Sequence, residues 1–367
     1  MQEKMTRSLF DTVALGKLLL SNRVGVAPMT RISATSDGLA TDQMAAYYAS
    51  FARGGFGVII TEGLYTDDKH SPGYLYQPGI INDAQERSWR KVVDVVHQEG
   101  AKIIAQIMHA GALVHGNPFD KDSIAPSAIQ PKGRRSASYG GAGAYPVPRA
   151  ATKEEITEVI SGFVDAARRA RSAGFDGIEI HGANGYLLDQ FLTDYTNQRT
   201  DNYGGSTENR VRLLVEVCRA VRAAVKDDFT VGIRISQAKV NDFEHKWAGA
   251  ERDAAIIFGQ LAGAGLDFIH LTEHEAWQPA FDGGGGASLA ALAKMYLKIP
   301  LIVNGGLGDP VRAADMIQGG QADIISLGKA ALANRDWIRK VMHEQLLEAF
   351  DAERVLQPDA KIKTFEI

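Results

Sequence analysis

The chain has 367 residues, 45% of them hydrophobic, enough to bury a large core as one big α/β barrel or as two smaller domains. Its net charge of −4, with both signs interspersed, offers no basic surface and argues against nucleic acid and anionic membrane as partners. One cysteine, Cys218, excludes an internal disulfide framework and any four-cysteine iron–sulfur or zinc site.

Residues 1–7 are polar and contain no long apolar stretch. No apolar run approaches membrane-spanning length either, so a cytoplasmic protein is expected. Residues 9–21 form a short glycine-turned segment suited to a hairpin. A first strand is expected over 23–28, then a helix over 42–53 and a strand over 57–62. A helix over 83–99 leads into a strand over 102–107. The rhythm repeats: helix 152–173 and strand 177–181, helix 207–225 and strand 230–235, helix 250–264 and strand 268–271. A shorter helix over 289–297 precedes strand 301–304. Helix 310–318 precedes strand 323–327, and a closing helix is expected from near Asn334. Cys218 falls on the amphipathic face of helix 207–225, as a small core residue.

Nearly every one of the eight strand candidates is a continuous β-branched run, the pattern of strands buried on both faces of a parallel sheet. Eight of them alternating with helices favour a single (β/α)₈ barrel over residues 1–367, with a short amino-terminal hairpin. The longest irregular stretch, residues 109–151, follows the third strand and suits a lid or binding loop. A second, residues 272–287, carries Trp277 and four consecutive glycines, Gly283 to Gly286.

In a barrel, the carboxyl ends of the strands face the site. Those ends carry Thr30 and Arg31, Glu62, Gln106 with His109, His181, Arg234, Thr272, Asn304 and Lys329. The set is rich in amide, hydroxyl and cationic groups and poor in carboxylates, so a metal site is poorly supported. The chain has no G-x-S-x-G elbow, so a serine hydrolase is poorly supported too. After the fourth strand the sequence turns polar, glycine-punctuated and aromatic, through His181-Gly182-Ala183-Asn184-Gly185-Tyr186. The three-residue spacing of His181 and Asn184 suits two polar tips on one side of a helical turn, converging on a carbonyl oxygen, with a phenol nearby to supply a proton. A core histidine, a turn asparagine and a packing tyrosine fit the same stretch. Glu179, two residues earlier, is expected to point out of the barrel.

The last two loops suit an anion. Asn304-Gly305-Gly306-Leu307-Gly308-Asp309-Pro310 and Gly328-Lys329 combine glycines, which let backbone N–H groups approach closely, with a cation. Barrels often hold a phosphate at this position.

Several runs closely resemble the Old Yellow Enzyme family of FMN-dependent ene-reductases. They are Ala27-Pro28-Met29-Thr30-Arg31, Gln106-x-x-His109-x-Gly111, His181-x-x-Asn184-x-Tyr186-Leu187-Leu188-x-Gln190-Phe191-Leu192 and the run from Asn197 to Arg210. The resemblance covers nearly the whole chain. It implies that Ala27, Pro28, Met29 and Thr30 lie along FMN, with Thr30 contacting O4 of the ring. It further implies that Gly63 reaches the flavin through its backbone, that Gln106 bonds the pyrimidine edge and that Arg234 lies near N1 and O2. By the same resemblance Gly305, Gly306, Gly328 and Lys329 hold the phosphate, His181 and Asn184 bind the substrate oxygen, and Tyr186 donates the proton. Lys329 stands where the family usually has arginine, and Ala112 where it frequently has one. The implied activity is reduction of an electrophilic alkene, an α,β-unsaturated carbonyl or nitro compound, with NADPH or NADH as hydride donor, in a monomer or homodimer. A phosphate-binding isomerase or aldolase barrel, and a flavin-binding protein without turnover, are the competing readings.

Overall fold

The computed structural model describes residues 6–281 and 286–367. Residues 1–5 of the polar amino terminus, and Gly283, Gly284 and Gly285 of the glycine run, lie outside the described residues. Eight parallel strands follow one another around a closed barrel: β1 (Val24–Val26), β2 (Val58–Ile60), β3 (Lys102–Met108), β4 (Gly177–Asn184), β5 (Thr230–Lys239), β6 (Phe268–Thr272), β7 (Leu301–Asn304) and β8 (Ile324–Leu327). Each pairs with the next, and β8 pairs with β1 to close the ring. An outer ring of helices sends apolar faces onto the strands: α1 (Asp42–Arg53), α2 (Asp83–Gln98), α3 (Lys153–Ser172), α4 (Arg212–Val225), α5 (Ala250–Ala262), α6 (Leu289–Tyr296) and α7 (Pro310–Gln318). The expected (β/α)₈ barrel is therefore the fold. Helix starts are chemically marked: Thr152 and Glu155 form a reciprocal capping box on α3, and Asp309 caps α7 ahead of Pro310. Cys218 is fully buried on α4.

The hairpin Val13–Leu15 and Leu18–Leu20 closes the amino-terminal end of the barrel, where Leu15 and Leu20 join Val58, Ile60, Ile104, Phe268, Ile302 and Ile324. Val58 and Ile60, two apart on β2, share this inner face as the pleat requires. Gly232 leaves the space that Phe268 fills, since a Cβ there would come within 2.2 Å of the ring.

Several local expectations are corrected. The expected helix 207–225 is two pieces, Thr207–Arg210 and Arg212–Val225. The closing helix expected from near Asn334 is Trp337–Met342, and a short helix not expected, Lys329–Ala333, precedes it; Asn334 separates the two by turning its side chain to the backbone N–H of Glu348 and to Lys340. Residues 109–151 carry a small parallel pair, Ile124–Ala125 with Arg149–Ala150, and one 3₁₀ turn, Ala137–Tyr139. Strand β4 continues to Asn184, so His181 and Asn184 are not on a helical turn. Glu179 points into the barrel, not out of it. His181 faces inward, and the period of two along a strand places Glu179 on the same face. Among the described residues, no helix is long and apolar enough to cross a membrane.

Candidate active site

At the carboxyl end of the barrel a cavity of about 880 Å³ is bordered by every strand-end loop. Ala27, Pro28, Met29 and Thr30 line it from the β1 loop, and Gly63 and Gln106 from the next two strands. His181, Asn184, Tyr186 and Arg234 line its centre, and Gly305, Gly306, Gly328 and Lys329 one end. The long loop adds His115, Arg134, Tyr139 and Tyr145, which the sequence did not single out.

His181 and Asn184 are brought together by the backbone rather than by spacing. In an even strand, residues three apart point to opposite faces. Asn184 has φ +63, a left-handed conformation that asparagine tolerates, and its N–H donates to Ser236 Oγ at 2.8 Å. The turn that follows is anchored from below. Asp189, fully buried, accepts the Gly185 N–H at 2.6 Å and is paired with the buried Lys239 at 2.9 Å. Gln190 donates to the carbonyls of Ala110 and Gly185 and accepts from Ala112 N, which pins the β3 loop to the β4 loop. Tyr186 is thereby placed with its ring 5.0 Å from the His181 ring, and its hydroxyl meets that of Tyr74.

Beneath the cavity the barrel interior is polar. Gln106 Nε2 donates to Glu179 Oε1 at 2.8 Å, which leaves Gln106 Oε1 without a protein donor. His270 Nδ1 donates to Glu179 Oε2 at 2.7 Å, and Ser326 Oγ donates to His270 Nε2 at 2.7 Å. Arg234, at paired positions between His181 and His270, donates from Nη2 to Asn304 Oδ1 at 3.0 Å, while its buried Nε has no partner. Burial pulls the Arg234 guanidinium down to about 10, opposed by the Glu179 carboxylate. Burial, helped by Arg234 and His270, holds His181 well below the usual histidine range, so its imidazole is neutral with Nδ1 unpartnered. Burial raises the Tyr186 phenol well above its ordinary value.

The opposite end suits an anion. Gly305 and Gly306 have φ +135 and +63, and a Cβ would come within 2.1 Å of the Glu273 carbonyl and 2.7 Å of the Trp277 ring, respectively. Arg312 covers the Trp277 ring at 3.8 Å. Among the described residues no carboxylate pairs with Lys329, which is exposed, leaving its charge for a ligand. An elongated ligand with a polar ring edge and a phosphate tail fits this donor set. Gln106 Oε1 can accept from a ring N–H, Arg234 Nε can donate to the same edge, and the glycine turns with Lys329 can hold the phosphate. Among the described residues no group of three or more His, Cys, Asp or Glu side chains is placed to hold a metal ion.

A parallel barrel with this cavity, interior arginine and anion cradle fits a flavin-binding oxidoreductase. The chain belongs to the NADH:flavin oxidoreductase / NADH oxidase family, whose profile matches residues 8–348, and within it to the Old Yellow Enzyme group. It is 43% identical over 370 residues to the flavin oxidoreductase hxnT of Emericella nidulans, covering 94% of this chain and 92% of that protein. It is 36% identical over 343 residues to a probable flavin mononucleotide-dependent alkene reductase of Leishmania infantum, covering 91% and 90%. The structure superposes on the old yellow enzyme homologue of Zymomonas mobilis with a TM-score of 0.87 at 33% identity, covering 98% of each chain. The chain spans about half the length of several other curated relatives it matches.

Proposed function

We propose that the protein is an NAD(P)H-dependent ene-reductase, acting on α,β-unsaturated carbonyl or nitro compounds in two alternating half-reactions at one site. When bound, FMN supplies the redox chemistry, accepting a hydride from NAD(P)H and delivering it to the β carbon of the alkene. The residues of this chain do the rest. Gln106, Arg234 and Thr30 hold the ring of the cofactor, and Gly305, Gly306, Gly328 and Lys329 its phosphate. His181 and Asn184 bind the substrate's carbonyl or nitro oxygen. Negative charge grows on that oxygen as the β carbon is reduced, so donors fixed there favour the transition state over the ground state. A neutral His181 donates without adding a second buried cation beside Arg234. Tyr186 gives its proton to the α carbon.

The observation that carries this reading is the convergence of His181, Asn184 and Tyr186 on the cavity that Gln106 and Arg234 floor. An isomerase or aldolase would need a carboxylate base or a Schiff-base lysine there. Next to His181 and Tyr186, Glu179 is committed to Gln106 and His270 and Lys239 to Asp189, while Lys329 lies at the anion end of the cavity. The test is the visible spectrum of the purified protein together with NADPH and NADH oxidation in the presence of 2-cyclohexenone. A protein that cannot be loaded with FMN, or a loaded protein with no enone-dependent oxidation, would refute it.

A further inference from the structure

The Tyr186 hydroxyl has one protein partner, and it is a second phenol. Tyr74 brings its Oη to 2.5 Å from Tyr186 Oη, with both residues buried. Neither hydroxyl has another hydrogen-bond partner among the described residues. The Tyr74 ring is fixed from its far side: His115 stacks on it at 4.8 Å with 24° between the planes, and Tyr139 tilts against it at 5.3 Å.

We infer that Tyr74 is a positioning residue for proton transfer, donating its hydroxyl hydrogen to Tyr186 Oη so that the Tyr186 hydrogen is left to face the α carbon. The inference rests on the reading of Tyr186 as the proton donor. Between two phenols only one hydrogen can lie on the line joining the oxygens. Were Tyr186 the donor, its proton would be turned towards Tyr74 and away from the substrate. During transfer the Tyr186 O–H bond breaks as the α C–H bond forms, and the electron pair stays on the Tyr186 oxygen. That oxygen is buried, and burial makes Tyr186 a weak acid unless something meets the charge it leaves behind. Tyr74 is the adjacent donor. Its bond to a phenolate is charge-assisted and stronger than its bond to a phenol, so it stabilises the transition state more than the ground state. Arg234 contributes a second, more distant favourable charge. Water restores the proton to Tyr186 once the product has left.

The test uses the FMN-loaded enzyme and a double-mutant cycle on the two half-reactions. Tyr74→Phe keeps the ring and its stack on His115. It is expected to leave reduction by NADPH unchanged, to slow the 2-cyclohexenone step about 10- to 100-fold, and to enlarge the solvent deuterium isotope effect on that step. Added to Tyr186→Phe, it should slow nothing further. Tyr203→Phe, which loses a hydroxyl bonded to Glu216 outside the cavity, should leave the enone step alone. An enone step at the parent rate in Tyr74→Phe overturns the inference. So does equal slowing in the Tyr186→Phe background, or slowing by Tyr203→Phe to the same extent. If Tyr74→Phe loses its flavin, Tyr74→3-fluorotyrosine keeps the hydroxyl and makes it a stronger donor. That variant should quicken the enone step, and no change or a slower step would overturn the inference. If Tyr186→Phe alone leaves the enone step fast, the role given to Tyr186 fails and this inference with it. If Tyr186→Phe is slow and Tyr74→Phe is not, only the inference fails.

Discussion

Gln106 and Glu179 sit at paired positions on β3 and β4, and the amide of the first donates to the carboxylate of the second inside the barrel. The other carboxylate oxygen accepts from His270, so one buried carboxylate orients two side chains and offsets the charge of Arg234. Removing it strands those groups in a region without water. Glu179→Ala is expected to lower unfolding stability by on the order of 3–5 kcal/mol and to weaken FMN binding, because the Gln106 amide is then free to turn. Urea unfolding and flavin titration measure both. An unchanged midpoint with unchanged FMN affinity would show that the interior network carries neither role.

Arg234→Ala should lower the reduction potential of the bound flavin or lose the flavin outright. The buried Arg234 Nε has no partner among the described residues, and a fixed cation stabilises the negative charge that the cofactor gains on reduction. Dye-equilibrated reduction reads the potential and the visible spectrum reads the occupancy. Full occupancy at the parent potential would place the guanidinium elsewhere.

Phenols should bind the oxidised enzyme with a long-wavelength charge-transfer band, because a phenolate oxygen can take the place of the substrate oxygen between His181 and Asn184. Replacing both by alanine should weaken binding by about 10-fold or more, since hydrogen bonds to an ionised oxygen are the strong ones. The prediction fails if the double variant titrates with the same affinity.

Tyr186→Phe should separate the half-reactions. No proton is needed for reduction by NADPH, so that rate stays near the parent value. The 2-cyclohexenone step should fall by roughly 10²–10⁴, the range for loss of a positioned acid. Quinone reduction should be spared, because quinone oxygens can take protons from water. Stopped-flow records of both steps decide it, and equal slowing of the two would reduce Tyr186 to a packing residue.

Glu62 connects the site to pH-dependent stability. Its carboxylate accepts the N–H groups of Arg31 (2.9 Å) and Ile32 (3.2 Å) and so holds the β1 loop. Burial pushes it from 4.5 up to about 7. A carboxyl raised in the folded state favours its protonated form, so stability declines as pH rises from near 4.5 to near 7 and then levels off. Glu62→Gln should remove that decline, worth at most about 3 kcal/mol. Unfolding midpoints at pH 5 and pH 8 test the sign: a parent protein that gains stability across this interval relative to the variant would contradict it.

The barrel was legible because its signals are local. Runs such as Lys102–Met108 and Thr230–Lys239 are rich in β-branched residues, and helices such as Lys153–Ser172 carry a capping residue at their start. The residues of the cavity were legible through motifs at the strand ends. Facing and partnership were not. The spacing of His181 and Asn184 suggested a helical turn, whereas a left-handed backbone at Asn184 turns the pair into the cavity at the end of a strand. The sequence places Glu179 outward, whereas the period of two from the inward His181 and its bond to Gln106 put it inside. Tyr74 carried no mark at all, since its place beside Tyr186 depends on a contact across 112 residues of chain. Periodicity and capping act over a few residues and are written in the local sequence. Which phenol meets which, and which charge lies under the cavity, is decided only when closure of the barrel brings distant strand ends to one point.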